Sequence, residues 1–398
     1  MNWLFQQYIR FDLALHNRVQ LPLEDLKFLE KIPAGSGLIL TPNHADETDF
    51  KVCVELSRRT ARRFFYMMNR EAFDEGWGSA GWFLRRLGVF SVERGGGESL
   101  EESKRYAMDI VERSKDLLVI FPEGEIFYLN DLVQPLKSGA VEIGMRAILE
   151  NRKIFPEFTV FLVPMAIKYR YSKSISGTLS KRLEKIEKRL YKRVRGCELK
   201  MRVGLIIAEL LRRQEMANKL KAGSADLLDL SQRVQGLRQS MMQELEAKYQ
   251  DAQDSPKKGG LLERSWNLSR YMRSLPRGIF SAESFAQMKK DLVTLARVAQ
   301  MASWQPEYVD LNPSEERLAE TVLKLEREVF QIKRPGQLAG RKVYVRIGEP
   351  IDLSLFLNDY LKDPHAARHQ CADLLRSRLQ SLIDGIKDSQ PESRGAAN

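Results

Sequence analysis

The sequence is poor in the residues that build disulfide frameworks and metal sites. Its 398 residues include three cysteines, Cys53, Cys197 and Cys371, and four histidines. The cysteines are far apart and odd in number, a usage typical of an intracellular protein without a disulfide framework. We therefore predict no metal site.

Long hydrophobic runs are also missing. A helix that crosses a bilayer needs about 20 consecutive apolar residues. The best candidates, Phe158–Ile167 and Val203–Leu211, are both much shorter. The first 20 residues lack the basic, apolar and cleavage regions of a signal peptide. We expect a cytoplasmic protein, peripheral to the membrane, that meets a bilayer only at its surface.

Positive charge is abundant and unevenly distributed. The net charge is +11, and residues 171–220 alone carry 14 Lys and Arg against 5 Asp and Glu. Such a stretch suggests an anionic partner, and an anionic membrane surface is our first expectation. Its charges could instead be simply solvated. Residues 2–18 form an amphipathic helix with an aromatic face, which either lies in a membrane interface or packs on the core.

The order of apolar patterns predicts the fold. Strand-like runs at 37–41, 63–68, 88–92, 117–121 and 158–167 alternate with helical stretches near 50–60, 72–86, 98–114 and 138–151. This alternation indicates an α/β fold with a mixed sheet flanked by helices. Residues 171–340 show helical periodicity only, and a strand returns at 341–351 before a last helix at 364–386.

We therefore predict one α/β core interrupted by a long all-helical insertion. The predicted segments are an N-terminal amphipathic helical segment (1–35), the core (36–170), the basic helical insertion (171–340), the returning strand and C-terminal helix (341–387) and a disordered tail (388–398).

The chain is organised around the segment Leu40–Asp49, which contains Asn43, His44 and Asp49. It follows a buried strand and precedes a helix, where α/β proteins place ligand and catalytic groups. On a continuous helix, residues five apart point in very different directions. His44 and Asp49 can therefore meet only if the backbone turns between them. Taken alone, the pair could equally be a loop histidine beside a capping aspartate.

Two further clusters follow predicted strands. The strand Gly88–Val92 leads to Arg94, whose planar guanidinium suits a phosphate, although an ordinary surface arginine before a glycine turn fits too. Phe121 and Pro122 precede Glu123 and Gly124, an arrangement that also suits a plain turn at the end of a strand.

Together these clusters resemble the sequence blocks of the glycerolipid acyltransferase family, which includes the lysophosphatidic acid acyltransferases. The blocks are Asn-His-x4-Asp at 43–49, Gly-x5-Arg at 88–94, Phe-Pro-Glu-Gly at 121–124 and Val-Pro-Met at 163–165. The resemblance covers about 36–170, and residues 342–351 look like the family's later strand.

The resemblance implies roles for these residues. His44 would be the general base and Asp49 would orient it. The acceptor site would contain a glutamate, a glycine and basic side chains, namely Arg94, Glu123, Gly124, Arg70 and Lys137. The donor would be acyl-CoA or an acyl-carrier protein, used as a co-substrate, and no cofactor is expected.

The sequence departs from the family's pattern in three places, at Ser91, at the pair Asn69-Arg70 and at Glu125. A carboxylate at Glu125 would repel a dianionic phosphomonoester. We expect a lysophospholipid acceptor, 1-acylglycerol 3-phosphate first, with another lipid or an amine as the alternative. A non-catalytic basic adaptor for membrane or nucleic acid, with a degenerate acyltransferase fold, is the rival, although no nucleic-acid partner is expected.

Overall fold

The computed structural model describes residues 2–70, 73, 79–92, 98–220, 229–249, 259–276, 281–311 and 314–388. The chain divides into two compact units. One unit comprises residues 1–93, 98–170 and 340–398, and the other comprises 94–97 and 171–339.

The first unit contains a sheet and the helices that cover it. Its strands are β1 (Asn17–Gln20), β2 (Gly37–Pro42), β3 (Phe64–Asn69), β4 (Val89–Val92), β5 (Leu117–Val119), β6 (Val160–Tyr171), β7 (Arg341–Ile347) and β8 (Ile351–Asp352). Its helices are α1 (Asn2–His16), α2 (Leu23–Glu30), α3 (Asp49–Thr60), α4 (Ser79–Arg86), α5 (Glu98–Glu112), α6 (Gly139–Asn151), α14 (Leu357–Lys362) and α15 (Pro364–Asp388).

The eight strands form one mixed sheet in the order β1-β7-β6-β2-β5-β3-β4, and β8 pairs with β6. Neighbours β1 and β7 are parallel, as are β2 with β5, β2 with β6, β3 with β5 and β3 with β4, whereas β8 runs antiparallel to β6. The predicted α/β fold, a mixed sheet flanked by helices with a helical extension, is therefore confirmed.

Strand β2 lies at the centre of the sheet and is buried along its whole length. Its side chains alternate between two apolar layers, because Ile39 belongs to one cluster and Leu38 and Leu40 to the other. Gly37 begins the strand where a Cβ would lie 2.4 Å from Val111 Cγ1, so only glycine fits there. Burial on both faces explains why β2 reads as a continuous apolar run.

The N-terminal segment differs from the expectation of a purely helical one. It contains β1, which pairs with β7 at the edge of the sheet, and α2 follows it. The strand is only four residues long and has little apolar character, so its sequence gives no periodic signal. Helix α1 does pack on the core, through Ile9 and Leu13.

Apart from Tyr171, the last residue of β6, the regular secondary structure in the described part of the second unit is all helical. Its helices are α7 (Ser176–Tyr191), α8 (Leu199–Ala217), α9 (Leu230–Lys248), α10 (Leu261–Ser274), α11 (Ala282–Gln300), α12 (Pro306–Leu311) and α13 (Glu315–Phe330), with a 3-10 turn at Met301–Ser303. Ser314 caps α13 by accepting a hydrogen bond from the Arg317 N–H. None of the described helices in the chain combines the length and apolar composition needed to cross a bilayer.

The last helix extends two residues beyond its predicted end, to Asp388. Residues 389–398, which make up most of the predicted disordered tail, lie outside the described residues.

Candidate active site

The side chain of Asn43 anchors the loop after β2 by forming two hydrogen bonds with the backbone of β6. The Asn43 amide donates from Nδ2 to the Ile167 carbonyl (3.1 Å) and accepts from the Ile167 N–H at Oδ1 (2.7 Å). The side chain thus continues the pairing of β2 with β6 by one further step. This fixes the point at which the chain leaves the sheet.

His44 and Asp49 meet at that point. His44 Nδ1 lies 3.0 Å from Asp49 Oδ2, and the imidazole stacks on the Phe121 ring with centroids 4.2 Å apart. The Asp49 side chain is fully buried, whereas 17% of the His44 side chain is exposed. Since Asp49 occupies Nδ1, Nε2 is the nitrogen that can exchange a proton with a substrate.

The backbone turn predicted between these residues is present. The Asp49 N–H donates to the Asp46 carbonyl (3.1 Å), and Asp46 Oδ1 accepts from the Thr48 N–H (2.8 Å). Thr48 is the N-cap residue of α3, but its side chain makes no capping hydrogen bond. The turn places Asp49 in the first turn of α3, where the positive end of the helix dipole favours a carboxylate.

Asp49 is held by two further donors. Its Oδ2 accepts from the Asp46 N–H (2.9 Å), and its Oδ1 accepts from the Tyr169 hydroxyl (2.5 Å). Burial raises the pKa of Asp49, and the hydrogen bond with His44 partly offsets this effect. Burial also raises the pKa of Tyr169 well above its usual range, so Tyr169 acts as a hydrogen-bond donor. The carboxylate therefore has a fixed orientation towards the imidazole.

Arg341, the first residue of β7, links the loop between β2 and α3 to strands β7 and β1. Its guanidinium pairs with Asp46 (Nη1 to Oδ2, 2.9 Å), donates from Nε to Asn17 Oδ1 (2.8 Å) and lies over the Tyr169 ring. Burial alone would raise the pKa of Asp46, but the charge and hydrogen bonds of Arg341 and the bonds from Thr48 lower it to about 2. Asp46 is thus charged and paired at neutral pH.

Glu123 holds the same loop by accepting a hydrogen bond from its backbone. Its Oε1 accepts from the His44 backbone N–H (2.7 Å), and its Oε2 accepts from the Gln134 N–H (3.1 Å). Only 2% of its surface is exposed, and burial raises its pKa to about 7 despite these two donors. In this arrangement Glu123 positions the His44 backbone, which is a different task from the acceptor contact that the resemblance implied.

Gly124 and Lys137 lie against each other. Gly124 has φ +71, in the left-handed region that favours glycine, and a Cβ there would lie 2.7 Å from the Lys137 side chain. The Lys137 N–H also donates to the Pro122 carbonyl (2.7 Å). The aliphatic part of Lys137 therefore covers the glycine turn directly after Glu123.

The strand register places Arg70 level with His44 and Glu123, beyond the carboxyl ends of the parallel strands. Ile39 of β2 and Phe65 of β3 both pair with Leu118 of β5. Counting five residues forward along these parallel strands leads to His44, Glu123 and Arg70. Arg70 follows β3 directly and is exposed. The predicted acceptor residue Arg94 lies outside the described residues.

The structure contains one histidine pair that the prediction of no metal site did not take into account. His365 and His369 lie one turn apart on α15, with ring centroids separated by 4.4 Å. Within the described ranges, no group of three or more His, Cys, Asp and Glu side chains could hold a metal ion.

A histidine held by a buried carboxylate, just after a buried strand of an α/β sheet, is an arrangement that can accept a proton from a hydroxyl or a water molecule. Residues 25–168 match the family model described as Acyltransferase. The resemblance to acyltransferases identified from the sequence is therefore confirmed for this segment, which includes the central strands of the first unit. A comparison with curated proteins finds no match to the chain.

Three residues of the site were not identified from the sequence, namely Tyr169, Asn17 and Arg341. Each lies outside the segment that the family model matches. Tyr169 lies on β6, where alternation could have placed its side chain on the same face as Ile167. Nothing in the sequence links Asn17 to Arg341, because the two are 324 positions apart and meet only through the pairing of β1 with β7.

Proposed function

We propose that the protein transfers a fatty acyl group from an acyl-CoA or acyl-carrier-protein thioester to the hydroxyl of a lysophospholipid, with 1-acylglycerol 3-phosphate as the first candidate. The family match over residues 25–168 supports acyl transfer in general. The contact between His44 Nδ1 and Asp49 Oδ2 carries the proposed mechanism, because it leaves Nε2 at the carboxyl edge of the sheet.

In this mechanism His44 Nε2 accepts the proton of the acceptor hydroxyl while the hydroxyl oxygen attacks the thioester carbonyl. The buried Asp49 carboxylate stabilises the imidazolium that forms. The tetrahedral intermediate then collapses and expels the thiolate, which takes the proton back from the imidazolium. Basic side chains at the same edge, Arg70 and Lys137, are candidates to stabilise the oxyanion or the acceptor's phosphate.

The transfer is proposed to be direct, without an acyl-enzyme. The cysteine nearest in sequence to the pair, Cys53, is fully buried on α3. Burial and the charge of Asp49 raise the pKa of its thiol well above the usual range, which makes a reactive thiolate unfavourable. A thioester donor is already activated, so deprotonating the acceptor is the main task that remains.

The variant His44→Ala tests the assignment. We expect loss of acyl transfer, measured as thiol release from acyl-CoA, by at least about 100-fold, since general bases contribute about 10²–10⁴-fold. The matched control is His365→Ala, an exposed histidine on α15 that should retain wild-type turnover. Turnover that survives in His44→Ala, with the fold intact by circular dichroism, would remove the general-base role.

The acceptor is tested by a panel of substrates. Purified protein would be supplied with acyl-CoA or an acyl-carrier protein and with 1-acylglycerol 3-phosphate, a zwitterionic lysophospholipid or a long-chain amine. The variant Glu125→Gln should increase the use of the phosphomonoester if the Glu125 carboxylate repels it. A preference for the amine or the zwitterion in the wild-type protein would change the acceptor and leave the catalytic pair in place.

A non-catalytic adaptor remains the second candidate function, favoured by the local charge of residues 171–220. The hydrogen-bonded catalytic pair, which an adaptor does not need, argues against it. The adaptor is supported if no thioester and acceptor combination reacts and the protein binds DNA or anionic vesicles with steep salt dependence.

We also propose that the first unit contacts the membrane through α1. The outward side chains Trp3, Leu4, Tyr8, Phe11 and Leu15 are each about 60% exposed, and Trp82 of α4 is 52% exposed. Phe5 connects the two helices, because its ring centroid lies 5.7 Å from that of Trp82. The Arg86 guanidinium lies over the Trp82 ring. Exposed aromatic and basic side chains on one face are typical of helices that lie in a membrane interface.

The basic stretch 171–220, which was expected to make this contact, is partly neutralised within its own unit. Arg202 pairs with the buried Glu187 (2.7 Å), and Arg182 pairs with Glu326 (2.8 Å). These pairs reduce the charge available to anionic lipids, so α1 is the stronger candidate.

Co-sedimentation with anionic vesicles tests the α1 contact. The double variant Phe11→Ser, Trp82→Ser should reduce the bound fraction several-fold, because it removes two large apolar side chains from the proposed interface. The control Leu361→Ser changes a comparably exposed apolar residue (61%) on α14 and should bind as the wild type does. Equal binding by all three proteins would exclude this face.

A further inference from the structure

The helical unit contains a cavity that the acyl-transfer site does not use. Its volume is about 230 Å³, and it lies among α8, α9, α12, α13 and the turn Met301–Ser303. The apolar residues of its wall include Val203, Ile207, Leu230, Val309 and Leu325. Protein interiors have few voids larger than a water molecule, and an engineered apolar cavity of about 150 Å³ binds benzene. The space is therefore sufficient for a small apolar group.

The side chain of Lys324 places a basic group in the wall of this largely apolar cavity. Lys324 of α13 lines the cavity, and its Nζ donates to the Ser303 carbonyl (2.9 Å). Burial lowers the pKa of Lys324 to about 7, and the charge of Arg327 acts in the same direction, while Glu320 opposes both. An ammonium in such surroundings is poorly solvated and gains most from an anion placed next to it.

The other charged side chains in the wall come from the start of α8. They are Glu198, directly before the helix, and Lys200. When Lys324 is protonated, the wall carries two positive charges and one negative charge. A single negative charge on the ligand would balance this wall, whereas a second would be in excess.

We propose that this cavity binds an amphiphile with one carboxylate, such as a medium-chain fatty acid, with its alkyl chain on the apolar wall and its carboxylate beside Lys324. A charge-assisted hydrogen bond in a partly enclosed site provides the orientation, and the alkyl chain provides most of the affinity. This binding site is built from residues of the helical unit alone and does not depend on the acyl-transfer proposal.

Isothermal titration of the full-length protein with decanoate, below its critical micelle concentration, tests the proposal. Decanol has the same chain without the charge and should bind at least tenfold more weakly. The affinity for decanoate should fall between pH 6 and pH 8 as Lys324 loses its proton, and the affinity for decanol should not. These two comparisons need no variant.

Two variants localise the ligand. Lys324→Met keeps an unbranched apolar side chain, one atom shorter and without the charge, and should weaken decanoate binding at pH 6 by at least tenfold. Lys188→Met, at a surface lysine paired with Glu184, should not weaken it. Ile207→Trp fills the apolar wall and should abolish binding of both probes. Failure of decanoate to bind the wild type, or equal binding by wild type and a folded Lys324→Met, would overturn the proposal.

Discussion

Replacement of Glu123 by glutamine tests whether a buried carboxylate holds the His44 loop. Both oxygens of Glu123 accept backbone N–H groups, from His44 and from Gln134. A glutamine can satisfy only one of them and directs its own NH₂ at the other. An unsatisfied buried donor costs about 1–3 kcal/mol, so we expect the variant to be less stable than wild type at pH 5.

The pH dependence of this loss gives the sharper prediction. The pKa of Glu123 is raised from 4.5 to about 7 in the folded protein. Between these values the folded protein holds a proton that the unfolded chain has released, so wild-type stability falls as the pH rises. The difference corresponds to about 3 kcal/mol between pH 4.5 and pH 7. Glutamine does not titrate, so the stability difference between the two proteins should shift by about 2.5 kcal/mol in favour of Glu123→Gln from pH 5 to pH 8.

Urea unfolding of both proteins at several pH values between 5 and 8 measures this difference directly. Other titrating groups largely cancel when wild type and variant are subtracted. The control is Glu101→Gln, because hydrogen bonds from Arg146 and Lys104 lower the pKa of Glu101 to about 2, below the measured range. Its stability difference should not change with pH. If the Glu123→Gln difference is equally constant, Glu123 is not the buried acid that the loop geometry requires.

The other predictions concern packing and pairing around the site. Tyr169→Phe removes a hydrogen bond to a buried carboxylate and should lower the unfolding free energy by about 1.5–3 kcal/mol, with slower turnover. Urea unfolding and kcat check this, and unchanged values would show that the hydroxyl is dispensable. Arg341→Met leaves Asp46 unpaired and should cost about 3–5 kcal/mol at pH 7. Since the pKa of Asp46 is lowered to about 2, this loss should diminish as the pH falls through 4 towards 2, and a constant loss would contradict the pairing. Gly144→Ala places a methyl group 2.3 Å from Leu353 and should lower stability by about 1–3 kcal/mol, measurable by thermal unfolding, where an unchanged midpoint would refute the contact.

Much of the core fold can be predicted from the sequence because its central strands are buried on both faces. Strands β2 and β6 appear as continuous apolar runs, and their helices show clear periodicity. Strand β1 could not be predicted, because four residues at a sheet edge carry no pattern that exceeds chance. In the helical unit, Val194 continues the helical spacing of Leu183, Ile186 and Leu190 in the sequence, but α7 ends at Tyr191 and Val194 is exposed.

The residues of the site also divide into those that the sequence identifies and those that only the folded structure reveals. The spacing of His44 and Asp49 indicated a turn and a possible contact, because both residues lie in one short segment. What a motif cannot show is which atom each side chain contacts, and Glu123 illustrates this, since its carboxylate faces backbone donors. Tyr169 and Arg341 support Asp49 and Asp46 through tertiary contacts that only the folded sheet creates.

The pairing of β1 with β7 has a practical consequence for anyone who shortens this protein. A version trimmed to begin at residue 25, the start of the family match, would appear to keep every recognisable motif. It would nevertheless remove the neighbour of β7, expose a row of unpaired backbone groups to other molecules and take Asn17 away from Arg341. Such a trimmed protein should aggregate and should hold its histidine loop loosely, although the segment that matches the family model is complete.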